Sequence, residues 1–329
     1  MNPFLYILIF IASALILAKA GILAVDSLLL ISKFLKWKKF VVGSLVMGLL
    51  SSMPELFVGL SAAFNGKSAL SFGTVVGSNI VLFTLIAGAA VLFGGTIKLK
   101  SKTIQRSLIF AGFYALLPLL LLVDGQFSRG DGIILIIALG FYLRELFFHQ
   151  KKFSEVLVKK DLEGVGCKKD GKDYKLFFRY LAKFLLGFSL LILSAQGIVF
   201  SASRLASSLG LPLIFVGTIF VALGTSLPEL SFGMRSIIMK QKEMFLGTIF
   251  GSVALNSSLI LGLTCLISPL RVNDISFDIG LYVSGFIFTC LAVLFFLIFF
   301  KTGDKLTKKE AKFLLFIYVL FFVIQVLIK

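Results

Sequence analysis

The chain has 329 residues, of which 58% are hydrophobic, a mean hydropathy of +1.04 and a formal net charge of +17. Soluble domains carry about 45–50% apolar residues, so the composition argues against a soluble fold and reads as an integral membrane protein in a lipid bilayer. The basic excess raises the question of a nucleic-acid partner, but no motif interleaves aromatic with basic residues, and none is expected.

In chain order, apolar runs near 4–31, 41–64, 69–95, 105–123, 131–149, 177–208, 212–239, 244–268, 277–300 and 311–328 predict ten spans. Each is sufficient to cross a hydrocarbon core about 30 Å thick as a helix. The first, second, sixth and seventh read as long or interrupted. "MNPFLYILIF" has no basic stretch ahead of its apolar run, so no cleaved signal peptide is expected and the first helix is retained. Cys167, Cys265 and Cys290 have no metal-site spacing, which points to neither a disulfide framework nor a zinc site. His149 reads as an interfacial residue, and the chain contains no nucleophile, base and acid set, so no enzyme is expected.

Counting basic residues by loop gives the topology. "SKFLKWKKF" (32–40), "KLKSKTIQR" (98–106), the 150–179 loop, "MKQKE" (239–243) and "KTGDKLTKKEAK" (301–312) alternate with "NGK", "DGQFSRGD", "SLGLP" and "SPLRVNDISFD", which hold at most one basic residue each. The positive-inside rule then places both termini outside and requires an even number of spans. The basic loops are also compatible with anionic lipid.

An internal repeat follows. "SSMPELFVG" at 51–59 returns as "TSLPELSFG" at 225–233, so Glu55 maps to Glu229 by 229 − 55 = 174. The same gap-free shift maps Gly43 to Gly217, Pro54 to Pro228, Gly59 to Gly233, Gly73 to Gly247, Gly77 to Gly251, Ser78 to Ser252 and Gly88 to Gly262. The chain is therefore expected to be an all-α polytopic protein of two five-helix repeats, 1–149 and 177–329, joined by a cytoplasmic linker at 150–176. Five spans per half invert the second copy. Inverted repeats with interrupted helices are an architecture of secondary transporters, which hold substrate near the midplane.

The repeated motif explains itself chemically. Pro54 and Pro228 lack the backbone N–H and crowd the carbonyl four residues earlier, which frees carbonyls near Leu50 and Ser51 and near Gly224 and Thr225. The hydroxyls of Ser51, Ser52, Thr225 and Ser226 add hard oxygens, and Glu55 and Glu229 add charge. A carboxylate at mid-bilayer costs at least a few kcal/mol unless it meets a cation, a proton or a basic partner. Two carboxylates balance one divalent ion, two monovalent ions or two protons, and that interchange is what antiport requires. Desolvated, paired carboxylates also take up protons readily. "GTVVGSNIV" (73–81) and "GTIFGSVAL" (247–255) taken alone read as close helix packing. Asp26 with Lys19 reads equally as paired, snorkelling or lining an entrance, and Arg204 and Arg235 read as lying toward membrane boundaries, with Arg235 close enough to Glu229 in sequence to act as a countercharge.

The motifs "LLSSMPEL" with "GTVVGSNI", and "ALGTSLPEL" with "GTIFGSVAL", resemble the two alpha repeats of the sodium/calcium exchanger family, prokaryotic type, over 41–88 and 215–262. The resemblance implies ten spans and a secondary cation antiporter working by alternating access, most simply sodium/calcium exchange, with the ion held between Glu55 and Glu229. It implies Ser51, Ser52, Thr225, Ser226, Ser78 and Ser252 as further ligands, and it directs attention to Asn79 and Asn256. The family's polar residue four places after the first serine is Leu82 here, and Val253 stands where the first half has Asn79. Proton/calcium or other cation/proton antiport is the alternative reading; a small organic solute transporter of the same topology is the second, and an ion channel a third. No cofactor is expected; the transported ions are Ca²⁺ with Na⁺ or H⁺. The expected location is a prokaryotic inner or plasma membrane, and a monomer suffices for the mechanism.

Overall fold

The computed structural model describes residues 3–34, 52–98, 102–149, 174–238, 242–271, 278–303 and 305–328. The first half contains α1 (Pro3–Phe34), α2 (Met53–Phe64), α3 (Ser68–Val81), a π-helical turn at Leu82–Ile86, α4 (Ala87–Gly94), β1 (Ile97–Lys98), α5 (Lys102–Leu121), β2 (Gln126–Phe127) and α6 (Arg129–His149). The second contains α7 (Tyr174–Leu209), α8 (Leu213–Val216), a π-helical turn at Gly217–Val221, α9 (Ala222–Thr225), α10 (Leu227–Ile238) and α11 (Lys242–Leu255). It continues with a π-helical turn at Asn256–Ile260, α12 (Leu261–Ile267), β3 (Leu270–Arg271), α13 (Ile279–Gly303), β4 (Lys305–Leu306) and α14 (Lys308–Ile328). Joined end to end, these pieces make the ten passes expected. Eight stretches among the described residues are long and apolar enough to cross a membrane. The early part of the second span, including Ser51, and most of the linker lie outside the described residues.

The shift of 174 holds element by element. Adding it to α2 gives α10, to α3 gives α11, and to the turn at Leu82–Ile86 gives the turn at Asn256–Ile260. The inversion is visible where α1 crosses α7. A Cβ on Gly197 would strike the Ser13 hydroxyl, and one on Gly187 would lie 3.0 Å from the Ala24 amide nitrogen and 3.2 Å from the Ala20 carbonyl. Gly197 meets α1 at Ser13 and Gly187 meets it at Ala20 and Ala24, so the contacts run in opposite order along α1 and α7 and the two helices are antiparallel. A twofold axis in the membrane plane produces that arrangement. At 1.5 Å per residue, α1 and α7 are about 48 and 54 Å long, longer than the hydrocarbon core.

The two halves are tied at both ends. β1 pairs antiparallel with β4 and β2 with β3. At the start of α3, the Ser68 hydroxyl donates to the Ser268 carbonyl; at the start of the equivalent α11, Lys242 Nζ donates to the Thr96 carbonyl over 2.6 Å. The outside of the bundle is apolar, with Phe4, Ile11, Leu15, Leu185, Leu193 and Leu327 exposed, while serine, threonine, asparagine and two glutamates are buried inside. That polarity is the reverse of a soluble domain and suits a lipid surround. Lys19 and Asp26 both lie on the exposed side of α1.

Candidate functional site: two inverted broken helices

The site is built by the proline breaks. Ser52 and Ser226, each two residues before a proline, have φ −90°, ψ 8° and φ −84°, ψ 3°. Both fall in the sparsely populated bridge region, so the repeat is conserved down to backbone angles. α9 stops at Thr225 and α10 restarts at Leu227. The missing N–H of Pro228 leaves the Gly224 carbonyl without its helical donor, and the glutamate follows in the first turn of the new helix. Glu55 stands likewise in the first turn of α2. Negative charge at a helix N-terminus is favoured by the helix dipole, which partly offsets the burial of both carboxylates.

Small residues bring the other walls close. A Cβ on Gly73 would overlap the Ile214 carbonyl, and one on Gly77 would overlap the Thr218 carbonyl and lie 2.7 Å from Ala222 Cβ. Backbone of α3 therefore touches backbone of α8 and of the Gly217–Val221 turn, and lies against the Ala222 methyl of α9. The sequence reading of these glycines as close packing is correct for Gly73 and Gly77, and the packing serves the site. At that crossing the Ser226 hydroxyl donates to the Ser78 hydroxyl over 3.3 Å, joining the two halves.

The Glu55 carboxyl is directed at the hydroxyls of Thr225 and Ser226 and at the Glu229 carboxyl. Exposure is 1% for Glu55 and 3% for Glu229, and Ser52, Ser78, Thr225, Ser226, Ser252 and Asn256 are equally buried. Glu55 Oε2, both Glu229 oxygens, Ser52 Oγ, Asn79 Oδ1 and both polar atoms of Asn256 have no hydrogen-bond partner. Buried polar atoms are almost always paired. A cluster of unpaired oxygens carrying two carboxylates is a donor set for a hard cation.

Asn79 stands differently from the others: its Nδ2 donates to Ser257 Oγ over 2.8 Å, which makes it a tie between halves with only Oδ1 to spare. Ser51 and the side chain of Arg235 lie outside the described residues. Sequence reasoning passed over Ser257 and Ser258, both fully buried beside Asn256; the signal was the polar run "NSS" in an apolar span. It also passed over the buried Ser71 and Thr264 pair, whose hydroxyls are 2.8 Å apart. All three π-helical turns lie in spans that line the site, and such turns are frequent at functional positions.

Fold and site together define an integral membrane protein of inverted repeats, with paired carboxylates at the break points of two helices. The sequence profile of the sodium/calcium exchanger protein family matches residues 5–148 and 179–327, and the chain belongs to that family. The sodium/calcium exchanger MaX1 of Methanosarcina acetivorans is 28% identical over 350 residues, covering 96% of this chain and 97% of its own. Among solved structures, the sodium-calcium exchanger NCX_Mj soaked with Na⁺ and Sr²⁺ superposes with a TM-score of 0.61 at 20% identity, covering 97% of this chain and 98% of its own. The H⁺/Ca²⁺ exchanger CAX superposes with a TM-score of 0.71 at 14% identity, covering 98% and 85%.

Proposed function

We propose that the protein is a secondary cation antiporter that exchanges calcium for sodium by alternating access. The observation that carries this reading is the meeting of Glu55 and Glu229, one from each inverted half, with buried oxygens left unpaired around them. Calcium takes six to eight oxygen ligands and requires carboxylate charge. Two carboxylates with Ser52, Thr225, Ser226, Ser78, Ser252 and the amide oxygens of Asn256 and Asn79 supply that chemistry. The sequence places Ser51 in the same motif. Membership of the family and the name of the relative MaX1 support calcium as cargo and sodium as the coupling ion.

In this mechanism the core spans that carry α2, α3, α10 and α11 hold the ion. The long α1 and α7, packed on each other, slide across them to open one face at a time. Exposing the site to one face while the other is closed couples the two ions, because the carboxylates cross only when neutralised. Proton/calcium exchange is the second reading: Leu82 supplies no oxygen where its repeat partner Asn256 does, so the site has fewer neutral ligands for sodium. The basic loops support termini that face outside a prokaryotic inner or plasma membrane, and the reading takes a monomer as the working unit.

The test is uptake of radiolabelled calcium into proteoliposomes under an outward sodium gradient, an outward proton gradient or none. Uptake driven by one gradient, and abolished in Glu55→Gln and in Glu229→Gln with folding intact, is the expected result. Normal exchange in both variants refutes the site.

A further inference from the structure

Two helices lead away from the paired carboxylates: α2 runs from Glu55 to the turn at Asn65, and α10 runs from Glu229 toward the basic loop at 239–243. The repeat makes them images of each other, but they are not covered alike. α7 lies along α2. The rings of Phe57 and Phe188 meet edge to face with centroids 5.1 Å apart. Two turns further on, Asn65 Nδ2 donates to Gln196 Oε1 over 3.3 Å and to the Ser61 carbonyl over 2.7 Å. Since 188 − 57 = 131 and 196 − 65 = 131, both contacts belong to one alignment of parallel helices. Ser61 lies between Phe57 and Asn65 on the same stripe, at four-residue spacing, and is 5% exposed.

The image of this alignment is not made. The shift of 174 turns Phe57 into Ser231, Phe188 into Ala14, Asn65 into Met239 and Gln196 into Ile22. Ala14 does not face Ser231. It lies against Gly224, 3.5 Å from where a Cβ there would stand, seven residues before Ser231. Ser231 is exposed, and Leu227, one turn before it, is 40% exposed. The stripe that α7 covers on α2 is therefore open on α10. The residues differ in the same sense: an edge-to-face aromatic pair is favourable beyond the area it buries, and serine with alanine offers nothing comparable.

We propose that Phe57 and Phe188, backed by Asn65 and Gln196, form a one-sided lock on the passage along α2. The protein rests with that passage shut and with the passage along α10 open toward the face that carries the basic loops. The lock parts once in every cycle, and its strength sets how often the second passage opens. The proposal rests on the antiport reading above and adds to it the passage that is shut at rest and the residues that hold it.

The reporters are Ser61→Cys and Ser231→Cys, each in a full chain whose Cys167, Cys265 and Cys290 are alanine and which still exchanges calcium. Maleimide labelling in detergent is expected to be fast at 231 and slow at 61; equal rates overturn the shut passage. Phe188→Leu and Phe57→Leu remove one ring of the pair and keep an apolar side chain. Each is expected to raise labelling at 61 by about 2- to 12-fold, the population shift that loss of an aromatic pair gives. An unchanged rate in both variants overturns the lock. A second arm uses Asn65→Cys with Gln196→Cys in the same background, bridged by a short bifunctional methanethiosulfonate. The bridged protein is expected to lose calcium exchange, to regain it with reductant, and to keep the rise in Tm with calcium, because the passage along α10 stays open. Exchange that continues with the bridge in place overturns the proposal. Failure of the antiport reading looks different: the unbridged protein and the natural chain take up no calcium under any gradient, while labelling at 61 and 231 still reads the lock.

Discussion

Gly77→Ala tests whether the site depends on backbone contact between the halves. The added methyl would overlap the Thr218 carbonyl oxygen and lie 2.8 Å from the carbonyl carbon and 2.7 Å from Ala222 Cβ. Carbon atoms in contact sit about 3.5–4.0 Å apart, so α3 and the Gly217–Val221 turn must part by about 1 Å. The obstacle is largely backbone, which no change of rotamer relieves. Overpacking of this kind costs about 1–3 kcal/mol. For a chain of this size that is a fall in Tm of roughly 2–6 °C, at about 2 °C per kcal/mol. The same movement separates Ser78 from Ser226, now 3.3 Å apart. A misplacement of about 1 Å in a positioned site can cost 100-fold in rate, so calcium exchange is expected to fall by 10- to 100-fold. Thermal unfolding in detergent and initial uptake in proteoliposomes measure the two effects. Natural Tm together with natural exchange in G77A would refute the close crossing.

Other expectations follow from individual contacts. Calcium at 100 times its Kd stabilises a protein that binds it by about 2.7 kcal/mol; the natural protein should show that rise in Tm, while Glu55→Gln and Glu229→Gln should not, and a retained rise in either variant removes that carboxylate from the site. Asn79→Val copies the residue at the equivalent Val253. It loses one hydrogen bond, about 0.6–1.7 kcal/mol in a membrane interior, but also removes a buried unpaired carbonyl oxygen worth about 1–3 kcal/mol. Stability should therefore stay within about 2 kcal/mol, and a Tm fall of more than 5 °C would show that Oδ1 is paired. Lys242→Met breaks the 2.6 Å bond to the Thr96 carbonyl. Since the lysine is only partly buried, a loss of about 1 kcal/mol is expected, and an unchanged Tm would show that the tie contributes nothing.

What the sequence makes legible is what helix contact constrains. Gly73, Gly77 and Gly217 stand where backbone touches backbone and have glycine counterparts at the repeat offset, and the Pro-Glu pairs recur with a carboxylate in the first turn of both α2 and α10. A single offset of 174 therefore recovers the repeat, and the structure keeps it to the residue in α2 and α10. The π-helical turns are not legible, because skipping one backbone hydrogen bond is decided by packing against neighbours and not by local propensity. Pairs such as Ser71 with Thr264 and Asn79 with Ser257 are separated by 193 and 178 residues, and no periodicity announces them. The two-residue strands at each end of the bundle are equally silent, each too short to show alternation. The sixth span starts at Tyr174 and not at 177, because the polar and aromatic residues of a helix that outruns the hydrocarbon core depress the hydropathy used to find it.

The repeat constrains backbone and carboxylates while leaving many other side chains free to differ. The shift of 174 pairs Ser71 with Phe245, Asn79 with Val253, Phe83 with Ser257 and Thr264 with Ala90, so the Ser71–Thr264 and Asn79–Ser257 ties between the halves have no polar image under the repeat. An antiporter needs inward-open and outward-open states within a few kcal/mol of each other, since a state too rare to visit slows the cycle. A symmetric backbone secures that near-equality, because the two repeats exchange roles between the states. The polar ties then tune it. At about 0.6 kcal/mol each in a membrane interior, two of them shift the balance by less than about tenfold, which biases the direction the site faces at rest without locking it.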